Sequence, residues 1–528
     1  MNEPLSLETD VLVIGGGLAG CWAAAAAARA GASVVLAEKG YCGTSGVTAT
    51  AGPSHWWVPP EPPAGREQAI AERHARGFGL SDPAWMARIL DMTWRSLPTL
   101  APYYRFSVDE RGEVQYRGLR GPEYMRAMRG LVEHLGVTVL DQSPALELLT
   151  HHDGSAAGAA GRRRQESRDW TVRAGAVVMA TGGCAFASHL LGSANNTGEG
   201  LLMAAEAGAD LSGMEFTNYY TVAPAGTTMT RSMAYSFGRY FDEDDRELDV
   251  RPGPDMNRAL GEALLKGRVY CRLDRAPHDI RERMPQVQPN FVLTFARQGI
   301  DPYTDRFEVT LRAEGTVRGI GGLRLKDEDC QTRTDGLYAA GDAATRELIA
   351  GATSGGGNQN SAWALSSGQW AGAAAAARAL RDGRGAQRVA YSAGRAGMRP
   401  ARGARSFDVR AAVGLAREHM GAIDRNMFRS GDGLADSLER LDGAFAELIA
   451  HAAAQGGERL RLREAAGMLA AARWSKASAL ARTESRGMHQ RTDAPLSDPR
   501  LATRQRSGGL DAVWTRFEAP APVLEAAR

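Results

Sequence analysis

The glycines near the N-terminus have the type and spacing that phosphate binding requires. Residues 10–20 read Asp-Val-Leu-Val-Ile-Gly-Gly-Gly-Leu-Ala-Gly, so an apolar run leads into a G-x-G-x-x-G pattern and an alanine-rich segment follows. This order predicts a strand, a tight turn and a helix. Gly15 permits the turn, Gly17 lets backbone amides approach a pyrophosphate, and Gly20 lets the helix pack close to the strand. The alternative is a glycine-rich turn that holds no ligand.

An acidic residue follows at the distance that a dinucleotide site needs. A second predicted strand, residues 33–37, ends in Glu38, eighteen residues after Gly20, and Lys39 comes next. A carboxylate at that place can accept hydrogen bonds from both ribose hydroxyls of an adenosine group. Strand, turn, helix and acid together favour dinucleotide binding over an empty turn.

Four later stretches carry related chemistry. Residues 40–60 are small and rich in glycine, which suits backbone lying flat against a large planar ligand. Residues 174–183 and 334–342 read as strands that end in small polar groups, where nucleotides bind to parallel sheets. Residues 351–361 lead a glycine-rich turn into a helix N-terminus, which favours negative charge. The predicted cofactor-binding residues are Gly15, Gly17, Leu18, Ala19, Gly20, Glu38, Lys39, Thr44, Ser45, Gly46, Ala51, Gly52, Ala145, Ala180, Thr181, Gly182, Glu199, Gly341, Asp342, Asn358 and Asn360.

Composition excludes several other classes of protein. The 63 basic and 61 acidic residues give a net charge of +2, which offers no electrostatic case for nucleic-acid binding. The five cysteines form no C-x-x-C pair, which argues against a zinc site, an iron–sulfur cluster in this chain and a disulfide framework. No apolar run approaches the ~20 residues of a membrane-spanning helix, and no signal sequence is visible. We therefore expect no metal site, no membrane span and a cytoplasmic protein.

The pattern of the whole chain predicts several domains, as its length of 528 residues requires. We expect a first part of the nucleotide-binding domain over 1–215, an inserted capping domain over 216–328, the second part over 329–384 and a helical domain over 385–528. Helical periodicity covers 65–97, 121–135, Pro254 to Lys266, 405–421, 431–455 and 458–482, and an alanine-rich helix should end near Leu380. Strands are predicted at 137–140, 145–149, 269–273 and 307–317, and residues 153–167 as a hairpin tip.

Two aromatic and charged features have more than one interpretation. Trp56 and Trp57 are either a stacking platform for a substrate or a buried corner of the core. The alternating charges of residues 482–493 are either part of a functional motif or an ion-pair network at a domain contact.

Together these stretches resemble the flavoprotein family of succinate dehydrogenase, fumarate reductase, L-aspartate oxidase and the adenylylsulfate reductase α subunit. The resemblance covers nearly the whole chain in order. It is carried by the glycine turn with Glu38-Lys39, by Ala-Thr-Gly-Gly at 180–183, by Gly-Leu-Tyr-Ala-Ala-Gly-Asp at 336–342 and by Arg-x-Glu-Ser-Arg-Gly-x-His-x-Arg-x-Asp at 482–493. It implies bound FAD and an α/β fold: a Rossmann-like FAD-binding domain with an inserted, mobile α+β capping domain and a C-terminal helical domain.

Departures from the family pattern concern the substrate. Gly46 stands where a histidine carries the flavin covalently in the dicarboxylate enzymes, which implies non-covalent FAD. The family's His-Pro-Thr becomes Tyr220-Thr-Val, its His-Gly-Ala-x-Arg becomes residues 350–354 without histidine or arginine, and one family arginine falls near Gly253. Since bidentate arginine pairing is the main device for recognising carboxylates, succinate, fumarate and aspartate are disfavoured.

Three functions follow as hypotheses. The first is an FAD-dependent dehydrogenase, desaturase or reductase for a small non-dicarboxylate substrate, in which Tyr220, Arg251 or Arg239 moves the coupled proton. Tyr219 and Tyr220 can equally well pack under the cap. The second is the flavin subunit of an iron–sulfur-coupled reductase of the adenylylsulfate reductase type, which requires a ferredoxin-like or other electron-transfer partner. The third is a flavin-binding protein without catalytic activity.

Overall fold

The computed structural model describes residues 3–228, 232–253, 255–383 and 388–519. The strands are β1 (Leu5–Ile14), β2 (Val34–Ala37), β3 (Ser107–Val108), β4 (Val114–Gln115), β5 (Thr138–Leu140), β6 (Ala145–Thr150), β7 (Ala156–Arg163), β8 (Arg168–Met179), β9 (Leu211–Ser212), β10 (Tyr220–Pro224), β11 (Arg239–Phe241), β12 (Val269–Arg272), β13 (Phe307–Ala313), β14 (Gly322–Leu323), β15 (Leu337–Ala339), β16 (Tyr391–Ser392), β17 (Gln505–Gly508) and β18 (Trp514–Phe517).

The helices alternate with these strands in the first part of the chain and dominate after β16. They are α1 (Leu18–Arg29), α2 (Pro63–Ala75), α3 (Pro83–Ser96), α4 (Gly121–His134), α5 (Glu199–Glu206), α6 (Met256–Leu264), α7 (His278–Val287), α8 (Pro289–Ala296), α9 (Gly315–Arg318), α10 (Glu347–Ala350), α11 (Gly356–Asp382), α12 (Val409–Gly421), α13 (Gly431–His451) and α14 (Glu458–Ala481).

The central sheet has the parallel core of a nucleotide-binding fold. Strands β5, β2, β1, β8 and β15 are parallel neighbours, and one row across them contains Leu36, Val13, Val178 and Tyr338. Helices cover both faces of such a sheet, which explains why its strands read as continuous apolar runs. Val13 and Val178 are completely buried. The α/β fold class is confirmed.

Helices α1 and α11 pack unusually closely over this sheet. A Cβ atom on Gly368 or Gly372 of α11 would overlap the backbone of Ala19 or Ala23 in α1. Small residues on both helices therefore bring the two alanine-rich segments together, although they lie in the first and the second part of the nucleotide-binding sequence.

The inserted region forms a separate antiparallel sheet with the order β10-β13-β12-β11, covered by helices α6, α7 and α8. Its core contains Tyr240, Cys271 and Phe291. Met427, from the turn after α12, also joins this core and lies against Gly261. The cap is thus attached to the C-terminal region as well as to the nucleotide-binding domain.

Several predicted elements differ from the structure. Residues 153–167 are not only a hairpin tip, because β7 occupies most of them and pairs with β6 and β8. Strand β13 ends at Ala313, since Gly315 has a φ of +53° and starts α9. The C-terminal region is not purely helical: β17 pairs with β18 and with β9. Helix α6 begins at Met256, and Pro254, where the sequence starts this helix, lies outside the described residues.

The two tryptophans at 56–57 belong to the core rather than to an open platform. Trp56 is buried, and the ring centre of Trp57 lies 4.3 Å from that of Trp94 and 5.0 Å from that of Tyr116. Within the described part of the chain, no helix is long and apolar enough to cross a membrane. The cytoplasmic location stays a prediction.

Candidate functional site

A cavity of about 550 Å³ lies between the central sheet and the cap. One end, here called the nucleotide end, is lined by the glycine turn, by Glu38 and Lys39 and by the ends of β8 and β15. The other end, here called the cap end, is lined by side chains of β10, α6 and α9. The cavity therefore joins the predicted cofactor site to the inserted domain.

The glycines of the first turn have two different roles in the structure. A side chain on Gly15, whose φ is +107°, would overlap the backbone of Ala180, and one on Gly20 would overlap the carbonyl oxygen of Gly15. By contrast, a Cβ on Gly17 would meet no atom of the described chain within 4 Å. Gly15 and Gly20 are thus required by the protein itself, whereas the space beside Gly17 belongs to the cavity. This is the arrangement that close approach of a pyrophosphate needs.

Glu38 closes the glycine turn from the next strand. Its carboxylate accepts hydrogen bonds from the backbone amides of Gly16, at 2.6 Å, and Gly40, at 2.7 Å. Burial raises the pKa of this carboxyl, and the two backbone amides oppose that shift. Each carboxylate oxygen has a second lone pair, so Glu38 can still accept from a ribose hydroxyl.

Lys39 is held in place by two carboxylates from distant parts of the chain. Its Nζ lies 2.6 Å from both Glu199 and Glu464 and donates to the hydroxyl of Thr197 at 2.8 Å. Burial alone would lower the pKa of Lys39, but the two glutamates outweigh it and raise the pKa above its ordinary value. Glu464 belongs to α14, so the C-terminal region contributes to the nucleotide end.

Some buried polar atoms of the cavity wall lack a hydrogen-bond partner among the described residues. They are Thr181 Oγ1, Asn196 Oδ1 and Asn360 Oδ1. Buried polar atoms are nearly always hydrogen-bonded in native proteins. These three atoms, and the open space beside Gly17, Gly46 and Gly52, fit a large polar ligand such as the expected FAD.

The structure brings almost all the predicted cofactor-binding residues to this cavity. The exceptions are Gly20, which packs on Gly15, and Thr44 and Asn358, which do not line it. The contacts of the individual residues with FAD stay predictions. Sequence reasoning did not name Pro144, Asn195 or Asn196, which also line the cavity.

The cap end contains a charged group that the sequence did not reveal. Arg318, at the end of α9, approaches Glu314 at 3.5 Å, and its guanidinium lies 4.8 Å from the ring centre of Tyr219. Thr221 donates its hydroxyl hydrogen to Glu314 at 2.9 Å. Burial would lower the pKa of Arg318, but Tyr219, Glu314 and Asp342 raise it above its ordinary value. Arg318 is therefore a fixed positive charge at the cavity wall.

Arg346 fixes the short segment that carries Arg318. Its guanidinium is almost completely buried, pairs with Asp342 and donates to the carbonyl oxygens of Thr316, at 2.9 Å, and Val317, at 3.1 Å. It also donates to the carbonyl oxygen of Gly319. Arg346 is thus a positioning residue that ties α9 to the Gly-Asp turn after β15.

The three residues predicted to move a proton do not line the cavity. Tyr220 is buried in the core of the cap, donates to the carbonyl oxygen of Ala422 at 3.2 Å, and has a pKa raised by burial. Arg251 is 84% exposed and pairs with Asp249. Their catalytic role stays a prediction that this geometry does not support.

Arg239, the third of these candidates, also faces outward. Its guanidinium binds Asp274 at 2.9 Å and Glu247 at 3.4 Å. The sequence interpretation that places Tyr220 under the cap as a packing residue agrees with its buried position.

The charged motif at 482–493 forms a buried ion-pair network below the cap. Arg482 is fully buried and lies 2.8 Å from Glu215 and 3.0 Å from Glu484. Nearby, burial and the charge of Glu215 raise the pKa of Glu347 to about 8. None of these residues lines the cavity. The structure therefore agrees with the interpretation of the motif as an ion-pair network at a domain contact.

Two protein families match this chain. The family described as "FAD binding domain" matches residues 10–359, and the family described as "Fumarate reductase flavoprotein C-term" matches residues 419–506. The first match alone spans most of the chain and contains both the glycine turn and the cap.

Individual proteins agree with these matches. One subunit of the fumarate reductase (CoM/CoB) of Methanothermobacter marburgensis is 26% identical, over 93% of this chain and 95% of its own length. Among solved structures, E. coli quinol fumarate reductase superposes with a TM-score of 0.81 at 21% identity, covering 99% of both chains. Adenylylsulfate reductase of Archaeoglobus fulgidus has a TM-score of 0.77 at 18% identity, covering 100% of this chain and 98% of the other. At these identities the two structures show a common fold.

Proposed function

Because this chain belongs to the flavoprotein family of fumarate reductase and succinate dehydrogenase, and is thus an FAD-dependent oxidoreductase, we propose that its substrate is a small organic molecule other than a dicarboxylate. The substrate would bind at the cap end of the cavity and exchange a hydride with non-covalent FAD. Family membership does not support the hypothesis of a flavin-binding protein that lacks catalytic activity.

The observation that carries this proposal is the continuity of the cavity. The Gly341-Asp342 turn, which belongs to the nucleotide end, stands beside Val317 and Arg318 of the cap end in one cavity wall. A substrate held against the cap would therefore lie next to the cofactor, as direct hydride transfer requires.

FAD, when bound, supplies the group that accepts or donates the hydride. The residues of the chain supply position and surroundings. The backbone around Gly17 and Gly46 leaves room for the cofactor, Lys39 and Glu38 form the polar wall of its end, and the cap side chains orient the substrate and keep water out.

Non-covalent binding is supported by Gly46. This residue lines the cavity, has a φ of +87° and carries no side chain that could form a bond to the flavin. Denaturation of the purified protein in acid should release all of its flavin into the supernatant. Flavin that stays with the precipitated protein would contradict this part of the proposal.

The choice against dicarboxylates is supported by the chemistry of the cap end. Two carboxylates are normally held by several cationic or hydrogen-bonding side chains. Here Thr221 occupies the place of the second residue of the family's His-Pro-Thr, and its hydroxyl hydrogen already binds Glu314. Ala350, in the family's histidine position, is completely buried.

A substrate panel tests the proposal directly. The FAD-bound protein is mixed without oxygen with monocarboxylates, ketones and enones, and with succinate and fumarate as comparison, while reduction or reoxidation of the flavin is followed by absorbance. We expect a response to at least one non-dicarboxylate and none to the dicarboxylates. Turnover of succinate or fumarate would overturn the choice of substrate, and no response to any compound would overturn the proposed reaction.

The alternative remains a flavin subunit that passes electrons to an iron–sulfur partner, of the adenylylsulfate reductase type. The fold similarity to that enzyme supports it. In the described part of the chain no cluster of His, Cys, Asp or Glu could hold a metal ion, so the iron would belong to the partner chain. Purification from the native host under mild conditions tests this: a co-purifying iron-containing chain supports the alternative, and a catalytically complete isolated chain contradicts it.

A further inference from the structure

In the part of the chain that the structure describes, the cap end of the cavity offers one cationic side chain to a ligand. Among the described residues that line the cavity, the basic ones are Lys39 and Arg318. Lys39 lies at the nucleotide end, where Glu199 and Glu464 neutralise it. We propose that Arg318 determines substrate specificity by binding the single carboxylate of a small organic monocarboxylate. This inference rests on the function proposed above, and it names the substrate class.

The guanidinium of Arg318 is held in position before any ligand arrives. It stacks over Tyr219, with 4.8 Å between the guanidinium carbon and the ring centre, and lies 3.5 Å from Glu314. Arg346 fixes the backbone of the same turn through three carbonyl oxygens. A preorganised arginine loses little side-chain entropy when it binds a carboxylate, so the interaction is more favourable than that of a mobile surface arginine.

The same guanidinium keeps hydrogen-bonding capacity. A charge-assisted hydrogen bond between arginine and a carboxylate is about 2.8 Å long, whereas Glu314 remains 3.5 Å from Arg318. Glu314 also accepts the hydroxyl hydrogen of Thr221. The planar fork of N–H donors on Arg318 can therefore bind both oxygens of a ligand carboxylate.

The rest of the cap end suits an organic chain with one polar function rather than a second acid. Val222, Met233 and Met256 supply apolar surface. Asn257 donates to the carbonyl oxygen of Tyr220, and its Oδ1 has no partner among the described residues, so it can accept a hydrogen bond from a ligand. Among the described residues of the cap end, a second carboxylate would find an acceptor and methionines instead of a cation, which makes its desolvation unfavourable.

Three variants test this assignment. Arg318→Gln removes the charge but keeps an amide, and Arg318→Lys keeps the charge but removes the planar fork. Arg306→Gln is the matched control. Arg306 is also a cap arginine that stacks over a tyrosine, Tyr270 at 4.3 Å, and pairs with an aspartate, Asp245 at 2.6 Å, but it does not line the cavity.

The measurement is the perturbation of the visible spectrum of the bound, oxidised flavin on titration with crotonate, crotonamide and fumarate. The wild type should bind crotonate about 10- to 100-fold more tightly than crotonamide and more tightly than fumarate, as expected for one hydrogen-bonded charge pair. Arg318→Gln should abolish the preference for crotonate over crotonamide, Arg318→Lys should retain part of it, and Arg306→Gln should behave as the wild type.

Two results would overturn the assignment: equal binding of crotonate and crotonamide by the wild type, or an unchanged preference in Arg318→Gln with a full complement of FAD. If Arg318→Gln loses FAD, the comparison of Arg318→Lys with the wild type decides in its place. The outcome is separable from the proposed function. Turnover of an uncharged substrate alone would contradict the assignment but not the function, whereas carboxylate binding at Arg318 without any redox response would contradict the function but not the assignment.

Discussion

The two ends of the cavity are built from different parts of the polypeptide. At the nucleotide end, the shape comes from backbone and from missing side chains, as at Gly17 and Gly46. At the cap end, the chemistry comes from a few side chains, above all Arg318 and its neighbours Tyr219 and Thr221. Backbone amides are the same in every protein, whereas side chains can be exchanged one at a time. The cofactor end can therefore stay constant in a family while the substrate end changes.

The strongest test of this contrast adds a side chain to the first glycine turn at a position where it would overlap the backbone. Gly20→Val would overlap the carbonyl oxygen of Gly15, so we expect the free energy of unfolding to fall by more than about 4 kcal/mol and FAD to be lost. Chemical denaturation and the flavin content after gel filtration measure both. Gly443→Ala, in an open position of helix α13, is the control and should be stabilising by at most about 1 kcal/mol. A stable Gly20→Val protein with bound FAD would refute the account of the turn.

At the cap end, the corresponding test removes a side chain. Arg346→Met leaves the carbonyl oxygens of Thr316 and Val317 without this donor and removes the ion pair with Asp342. We expect a loss of about 3 kcal/mol in the free energy of unfolding, typical of a broken buried pair, and a weaker preference for crotonate over crotonamide. Arg324→Met, which breaks a half-exposed pair with Glu518, should lose at most about 1 kcal/mol. Similar losses in both variants would show that Arg346 has no special role.

A milder substitution distinguishes what FAD binding requires from what folding requires. Gly17→Ala adds a Cβ that meets no atom of the described chain within 4 Å, but it fills space where the pyrophosphate of FAD should approach. We expect an unchanged free energy of unfolding of the apoprotein and an about 10- to 100-fold weaker affinity for FAD. Calorimetric titration of the apoprotein with FAD measures the affinity. Unchanged affinity would place the pyrophosphate elsewhere.

The smallest expected effect concerns pH, because side chains titrate and backbone amides do not. Burial and the charge of Glu215 raise the pKa of Glu347 to about 8 in the folded protein, above its ordinary value. At a pH between the ordinary pKa of a glutamate and the folded pKa of Glu347, folding therefore takes up a proton. The stability that this protonated carboxyl contributes is lost as the pH rises towards the folded pKa. Glu347→Gln keeps an acceptor for the hydroxyl of Ser212 and does not titrate. As the pH rises from about 7 to about 8, the free energy of unfolding of the variant should increase relative to that of the wild type by about 1 kcal/mol.

Thermal unfolding across this pH range measures the difference. Glu67→Gln, at an exposed position of α2, serves as the control and should follow the wild type. Parallel pH profiles for the wild type and Glu347→Gln would mean that the carboxyl of Glu347 is already ionised at neutral pH.

The nucleotide end could be predicted from the sequence because its signals are local. The spacing of Gly15, Gly17 and Gly20, and Glu38 at the end of the next strand, report on contiguous backbone. The later Gly341-Asp342 turn follows the same rule, since the ends of parallel strands meet at one edge of a sheet. These turns reach the same cavity in the structure.

The cap end could not be predicted in this way. Which of two neighbouring residues faces the cavity depends on the tertiary placement of the strand. The resemblance pointed to Tyr220, in the place of the family histidine, whereas Tyr219 and Thr221 line the cavity and Tyr220 does not. No local sequence pattern pointed to Arg318, because its partners other than Glu314 come from distant segments of the chain. Glu464 escaped notice for the same reason, since it reaches Lys39 from a helix near the C-terminus.

The close packing of α1 against α11 also determines when the protein can assemble. Helix α1 is synthesised before the cap, but Gly368 and Gly372, which admit its backbone, are synthesised only after the whole cap. Until then the alanine-rich face of α1 has no cover, and the sheet lacks β15. The cofactor should therefore be acquired only after α11 has been synthesised, and a fragment that ends before α11 should not retain it.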